Sequence, residues 1–235
     1  MNKKIIYKTA KAYKPVISDT VSNIGFFGGN KAFLEGGTEW PKCTQCKKPL
    51  TLILSTLDPM RGSYKRTQVF LCVDDDCKGC RNHERQYYPC VKYYRFTTSE
   101  CELVSAPMDT VCHPHYWIKD WELVEERYGV NYENLVEEFE EIMKLPNWKE
   151  IIEHELEFTV DSDENDSLLS YLNDRFNDDS STEGVKFGGH QASCQNRDYG
   201  EYYLQLEKTS YMPYMFGDCG FLHISMDGKI SGDMC

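Results

Sequence analysis

The chain has 235 residues, of which 40% are hydrophobic and 13% aromatic, so it can bury the core of one large domain or of two small ones. No apolar run reaches the roughly 18 residues that a membrane-spanning helix needs, and the basic N-terminus lacks the apolar stretch of a secretory signal. Eleven cysteines without such a signal argue against a disulfide framework and favour metal binding in a reducing compartment. We therefore expect a cytoplasmic protein without a membrane span.

The net charge of −12 is distributed unevenly along the chain. Residues 1–119 carry a balance of +7, residues 120–183 one of −17, and residues 184–235 one of −2. The acidic residues of 120–183 either face solvent or dock on a basic surface. That surface belongs either to the first half of the chain or to a partner. A basic protein is therefore the expected partner, and the overall acidic charge counts against nucleic acid. The oligomeric state is left open.

Predicted strands dominate the first half of the chain. The glycine pairs at 28–29 and 36–37 predict tight turns, because glycine accepts backbone conformations that other residues avoid. Runs rich in β-branched and aromatic residues predict strands, and short strands separated by turns favour an antiparallel sheet. The predicted strands are Lys4–Tyr7, Leu50–Leu57, Thr67–Val73 and Val91–Thr97.

Helical periodicity replaces this pattern in the acidic middle. Apolar residues at 135, 136, 139, 142 and 143 fall on one face of a helix spanning about 133–144, and Pro146 ends it. Asn147 and Glu150 form a capping-box pattern that begins a second helix, and a third is predicted near 168–176. The segment 120–183 is therefore predicted to be an acidic helical segment.

The tail returns to strands and repeats a feature of the front. Tyr202–Leu206 and Phe221–Met226 are predicted strands, and Asp227-Gly228 predicts a hairpin turn after the second one. The tripeptide Phe-Gly-Gly precedes a strand both at 27–29 and at 187–189, which suggests an internal duplication. The predicted fold is α+β: a single domain of residues 1–235, built from two pseudo-duplicated antiparallel sheet-rich halves, 21–119 and 184–235, with the acidic helical segment between them.

The first half also carries a cysteine pattern typical of a zinc knuckle. Two cysteines separated by two residues place their sulfurs close together, and a second such pair completes the tetrahedral S₄ coordination that zinc prefers. The predicted Zn²⁺ ligands are Cys43, Cys46, Cys72 and Cys77, with Cys80 as a substitute for Cys77. Buried unliganded thiols and a redox pair are the alternatives. A redox pair is disfavoured because Pro49 and a strand, rather than a helix, follow the first knuckle.

A second and weaker cluster lies at Cys112-His113-Pro114-His115, with Cys90 and Cys101 upstream. One cysteine and one histidine here could bind a metal ion. Since no clearly spaced second pair of ligands accompanies them, we expect ordinary packing at this position rather than a second metal site.

Two sets of motifs resemble known families. The front and the tail together resemble the YwqG-like family, a domain of unknown function, over about residues 25–235. Chain order, an acidic helical middle and these residues carry the resemblance: Gly28, Gly29, Trp40, Pro41, Cys43, Cys46, Pro49, Leu50, Phe70, Cys72, Cys77, Gly188, Gly189, Gln195, Leu204, Gln205, Leu206, Gly217, Asp218, Cys219, Gly220, Phe221 and Leu222. The front is also distantly similar to the programmed cell death protein 2 family. That second resemblance implies a chaperone-like protein that binds a ribosomal protein.

No recognisable catalytic constellation is present, so no catalytic residue is assigned and a binding or adaptor protein is favoured over an enzyme. Asp218 between glycines is read as a turn residue, with an enzyme site around it as an alternative. The run Lys92-Tyr93-Tyr94-Arg95 interleaves charge with stacking surface, which makes nucleic-acid binding through the basic aromatic half a second alternative.

Overall fold

The computed structural model describes residues 8–74, 76–77, 90–128, 141, 144–150, 184–189, 202–214, 216 and 220–233. Within these ranges the chain forms twelve strands and one 3₁₀ turn at Thr98–Glu100. The strands are β1 (Lys8–Ser18), β2 (Gly25–Phe27), β3 (Lys31–Glu35), β4 (Thr51–Asp58), β5 (Gly62–Leu71), β6 (Val91–Thr97), β7 (Cys101–Ser105), β8 (Tyr116–Tyr128), β9 (Lys186–Gly188), β10 (Tyr202–Leu206), β11 (Phe221–Ser225) and β12 (Ile230–Asp233).

The predicted α+β class is wrong, because the described residues are almost entirely β-structure. The prediction of an acidic helical segment at 120–183 fails at its start, because residues 120–128 belong to β8 and not to a helix. Helical conformation within the described part of this segment is limited to Glu141 and residues 148–150. The remaining predicted helical residues, including most of 133–144 and all of 168–176, lie outside the described residues.

Ten strands form one sheet, and two form a separate ribbon. The order in the large sheet is β12-β11-β10-β9-β1-β8-β2-β4-β5-β6, and β3 pairs with β7 in the ribbon. Every one of these pairings is antiparallel. The predicted strand Val91–Thr97 coincides with β6, Tyr202–Leu206 coincides with β10, and the predicted Asp227-Gly228 turn joins β11 to β12.

The strand order is symmetric about the central β1–β8 pair. Each of these long strands leads to a short Phe-Gly-Gly strand, β2 after β1 and β9 after β8, and then to a run of antiparallel strands. The short strands cross over: β2 pairs with β8, and β9 pairs with β1. The strands of the two repeats are therefore interleaved at the centre of one continuous sheet.

The registers of the two repeats agree residue by residue. Phe27 lies opposite Leu54 on one side and Tyr116 on the other, while Phe187 lies opposite Leu204 and Tyr13. A register shift precedes the partner leucine in both repeats, between Leu52 and Leu54 and between Tyr202 and Leu204. Matching bulges are specific local features of a strand pair, so they align β4 with β10 more firmly than sequence similarity does.

The large sheet curls until its two ends face each other. Tyr203 on β10 shares a 3.0 Å hydrogen bond with Thr67 on β5, although these strands lie near opposite ends of the strand order. Between them, the Phe187 ring packs edge-on against Trp121 and Tyr203, at centroid distances of 4.8 Å and 5.1 Å. This first hydrophobic core is thus built from both repeats.

A second core lies on the other side of the sheet, and its buried members among the described residues come from the first repeat. Trp40 donates from its indole nitrogen to the Leu50 carbonyl at 2.7 Å and packs edge-on against Phe70. The β3–β7 ribbon contributes Ala32 and Leu34 to the same cluster. The cysteines of the predicted knuckle also belong to it, so this core places the candidate metal site.

A buried ion pair fixes the corresponding region of the second repeat. Lys186 on β9 is fully buried, and its ammonium contacts both carboxylate oxygens of Glu126 on β8, at 2.9 Å and 2.8 Å. The partly exposed Lys14 lies 3.7 Å from the same carboxylate. The pair joins β8 to β9 across β1, which lies between them in the sheet.

Candidate metal centre

The first knuckle is a tight turn that carries Cys43 and Cys46. The Cys43 N–H donates to the Lys48 carbonyl at 2.9 Å, and the Lys47 N–H donates to the Cys43 carbonyl at 3.1 Å. Lys47 has a φ of 65°, a left-handed conformation that a non-glycine residue adopts in few places, mostly in turns. A bridge between Lys42 and Pro49 closes the base of the turn. The chain is therefore folded back so that both sulfurs project to one side.

The second pair comes from the end of β5. Cys72 directly follows that strand, and its N–H donates to the Cys90 carbonyl at 3.0 Å. Cys77 sits on the next turn, where its N–H donates to the Asp74 carbonyl at 3.0 Å. Two unrelated stretches of chain thus deliver two sulfurs each to the same point.

The four sulfurs form a compact group. The Sγ atoms of Cys43, Cys46, Cys72 and Cys77 all lie within 4.8 Å of one another. Cys43 to Cys77 is 3.8 Å and Cys46 to Cys72 is 3.7 Å. A tetrahedral zinc site with Zn–S bonds of about 2.3 Å has S···S edges of about 3.8 Å, so these distances fit it. Three of the four cysteines are buried, and Cys46 is partly exposed.

The surroundings affect the first two cysteines in opposite directions. Burial raises the pKa of Cys43, but hydrogen bonds from the backbone N–H groups of Cys46 and Gln45 and from the side chains of Cys46 and Cys72 together outweigh it, and the net pKa is lowered. Burial is also the main cause of the raised pKa of Cys46. Near them, Lys48 forms a 2.9 Å ion pair with Asp74, which joins the first knuckle to the turn after β5. Thiolates are the form of cysteine that binds metal.

A fifth cysteine, Cys90, lies at the edge of this group. It is buried, and its sulfur is 3.7 Å from the Cys43 sulfur. Sequence spacing missed this proximity, because Cys90 lies 47 residues after Cys43 and joins the cluster through the pairing of its carbonyl with Cys72. The predicted substitute ligand Cys80 lies outside the described residues.

His113 and His115, from the second cluster, pack against aromatic rings. The His113 ring packs edge-on against Tyr214 at 4.6 Å, and the His115 ring lies 4.8 Å from Phe26. Cys112 is exposed and contacts the Thr110 carbonyl. Among the described residues, the four-cysteine group is the one close enough together to hold a metal ion.

The residues of the two alternative functions are placed differently. Asp218 lies outside the described residues. In the basic aromatic run, Tyr93 packs against the first core and Tyr94 against Phe70, so both rings are engaged in packing. Arg95 is exposed.

No protein-family model matches the chain, and no curated protein matches it either. Within the described residues, none of the helical stretches is long and apolar enough to pass through a membrane. The fold and the site together define the chain as a β-sheet protein with a four-cysteine group that could hold a metal ion.

Proposed function

We propose that Cys43, Cys46, Cys72 and Cys77 bind one structural Zn²⁺ ion. The observation that carries this proposal is the fit of the sulfur separations, 3.7 Å and 3.8 Å, to the edges of a tetrahedral S₄ site. Four protein ligands fill the tetrahedron and leave no open position for a substrate or water, which is typical of structural rather than catalytic zinc. The metal would join the knuckle to the end of β5 and stabilise the second core.

Metal analysis of protein purified without chelator tests this directly. We expect about one zinc per chain, and a chelator should remove it and lower the melting temperature, since binding energy at such a site is folding energy. Cys72→Ser should lose the metal, whereas the matched variant Cys112→Ser, which alters an exposed cysteine away from the group, should keep it. A metal-free protein whose melting curve does not respond to chelator would refute the proposal.

The fourth ligand needs its own comparison. Cys77→Ser and Cys80→Ser should differ, with zinc lost only from the first, because the Cys77 sulfur already lies 3.8 Å from that of Cys43. If zinc is lost from Cys80→Ser and retained in Cys77→Ser, the metal binds through the substitute ligand.

We further propose that the protein is a zinc-stapled binding or adaptor protein for a basic protein partner. Support comes from the balance of −17 in residues 120–183, from a cysteine group without an open coordination position, and from the resemblance to the YwqG-like and programmed cell death protein 2 families. Surface ion pairs contribute about 0–1 kcal/mol each, so a concentration of acidic residues serves association better than stability.

Charge reversal tests the partner proposal. A variant with Glu137, Glu138, Glu140 and Glu141 changed to Lys should lose a partner that is recovered by wild-type protein, while its zinc content stays at one per chain. The control changes four exposed acidic residues of the first half, Glu35, Glu39, Glu100 and Glu102, to Lys and alters the net charge equally. Binding should weaken steeply with salt. Tight nucleic-acid binding that survives the first set of reversals would contradict the proposal.

A further inference from the structure

A pocket of about 290 Å³ lies between the large sheet and the β3–β7 ribbon. Its lining surface is mainly apolar and includes three aromatic rings. Phe26 and Trp117 come from neighbouring strands of the sheet, and Phe33 comes from the ribbon. Val21 and Leu103 also line it, and both are largely exposed although they are apolar. A partly open apolar pocket with aromatic side chains and an exposed apolar rim is typical of a ligand site.

One charged side chain is buried in this apolar wall. Arg66 on β5 is only 6% exposed, and its guanidinium carbon lies 4.3 Å from the centre of the Phe33 ring. Its hydrogen bonds are long: Nη1 donates to the Ser55 hydroxyl at 3.3 Å, and Nη2 donates to the Asn23 carbonyl at 3.4 Å. These two neutral acceptors leave most of its five N–H donors without a close acceptor among the described residues.

The second repeat shows how the same chain treats another buried cation. The Lys186 ammonium pairs with the Glu126 carboxylate and contacts both of its oxygens at less than 3 Å. Arg66 forms no ion pair with any Asp or Glu among the described residues. Burying an unpaired charge costs free energy of folding. A bound anion that pairs with the Arg66 guanidinium would offset this cost.

We propose that this pocket binds a small monocarboxylate with an apolar or aromatic body, and that Arg66 pairs with the carboxylate. The planar guanidinium fork matches a carboxylate with two parallel hydrogen bonds. The three aromatic rings would enclose the apolar body. A single negative charge balances the single buried cation. Lys31, the other cation that lines the pocket, is exposed, and burial and then Lys31 lower the pKa of His115 in the same wall.

Phenylacetate and its neutral amide, phenylacetamide, form a matched pair of probes. Calorimetry with the 235-residue protein should detect phenylacetate, and the amide should bind at least about tenfold more weakly, since it cannot form a charge-assisted pair with the guanidinium. A short peptide ending in Phe, with a free or an amidated C-terminus, forms a second pair. Preference for the free acid in the first pair alone identifies a metabolite-like ligand, and preference in both pairs extends the site to polypeptide C-termini.

Variants locate the contact. Arg66→Met should reduce phenylacetate affinity at least about tenfold, whereas Arg95→Met, which removes an exposed arginine on the adjacent strand, should leave it unchanged. The acid–amide comparison uses wild-type protein and stands even if Arg66→Met does not fold. Equal affinity for acid and amide, undiminished affinity of folded Arg66→Met, or no binding of phenylacetate at all overturns the proposal.

Discussion

The buried Glu126–Lys186 pair makes a sharp prediction about stability. Both side chains are at most 1% exposed, and both carboxylate oxygens contact the ammonium below 3 Å. Removing one partner of a buried pair costs about 3–5 kcal/mol, because the other charge stays in a low-dielectric environment. We therefore expect Lys186→Met to lower the free energy of unfolding by about that amount.

Lys14 provides the matched control. Its ammonium lies 3.7 Å from the Glu126 carboxylate, beyond hydrogen-bond distance, and its side chain is 30% exposed. Lys14→Met should therefore cost less than about 1 kcal/mol. The double variant Glu126→Leu/Lys186→Met removes both charges and should recover most of the stability lost in Lys186→Met, since an apolar pair of similar volume often replaces a buried ion pair without loss.

Urea denaturation of the four proteins, followed by Trp fluorescence, measures these differences at constant zinc and pH. The m-value should stay the same in all of them, which shows that the midpoint shift reports stability alone. If Lys14→Met and Lys186→Met are equally destabilised, or if the double variant is less stable than Lys186→Met, the pair does not stabilise the fold as its geometry indicates.

Two further predictions concern the first repeat. Gly29→Ala should be more destabilising than Gly37→Ala in thermal melts: both glycines have positive φ, which costs other residues about 1–2 kcal/mol, but only at Gly29 would a Cβ lie 1.8 Å from the His115 ring. Lys48→Met should raise the pKa of Asp74 in an NMR titration, because the hydrogen bond and charge of Lys48 hold that pKa below its usual value. The contribution of this pair to stability is present above the unfolded-state pKa of Asp74 and is lost as the pH falls through the folded-state value.

The sequence correctly predicted the strands, turns and cysteine pairs that depend on residues close together in the chain. The strands β6 and β10 and the turn after β11 follow from composition and turn residues within a few positions. The first knuckle follows from two cysteines in one turn, and Cys72 and Cys77 join it because β4 and β5 are adjacent strands. Their grouping in the structure agrees with the predicted ligand set.

The strand β8 shows why the acidic middle misled the prediction. Its Glu126 is buried, which breaks the alternation of apolar and polar residues that marks a half-buried strand. The burial depends on Lys186, 60 residues further along the chain, and no local pattern reveals that partner. Arg66 was missed for the same reason, because its pocket forms only when the ribbon packs on the sheet.

The contact that joins the ends of the curled sheet can be tested with two tyrosines on opposite strands. Tyr203 donates its hydroxyl proton to the buried Asp58 carboxylate, whose other oxygen accepts the N–H groups of Met60 and Arg61 in the turn after β4. Removing a hydrogen bond to a buried charged group costs about 1.5–3 kcal/mol, so Tyr203→Phe should lower stability by that amount. The nearby Tyr93 hydroxyl is buried and, within the described residues, makes no hydrogen bond of normal geometry, so Tyr93→Phe should cost clearly less stability than Tyr203→Phe. Both variants lose one hydroxyl and keep the ring, so equal stabilities in urea melts would show that the Tyr203–Asp58 contact does not hold the sheet closed.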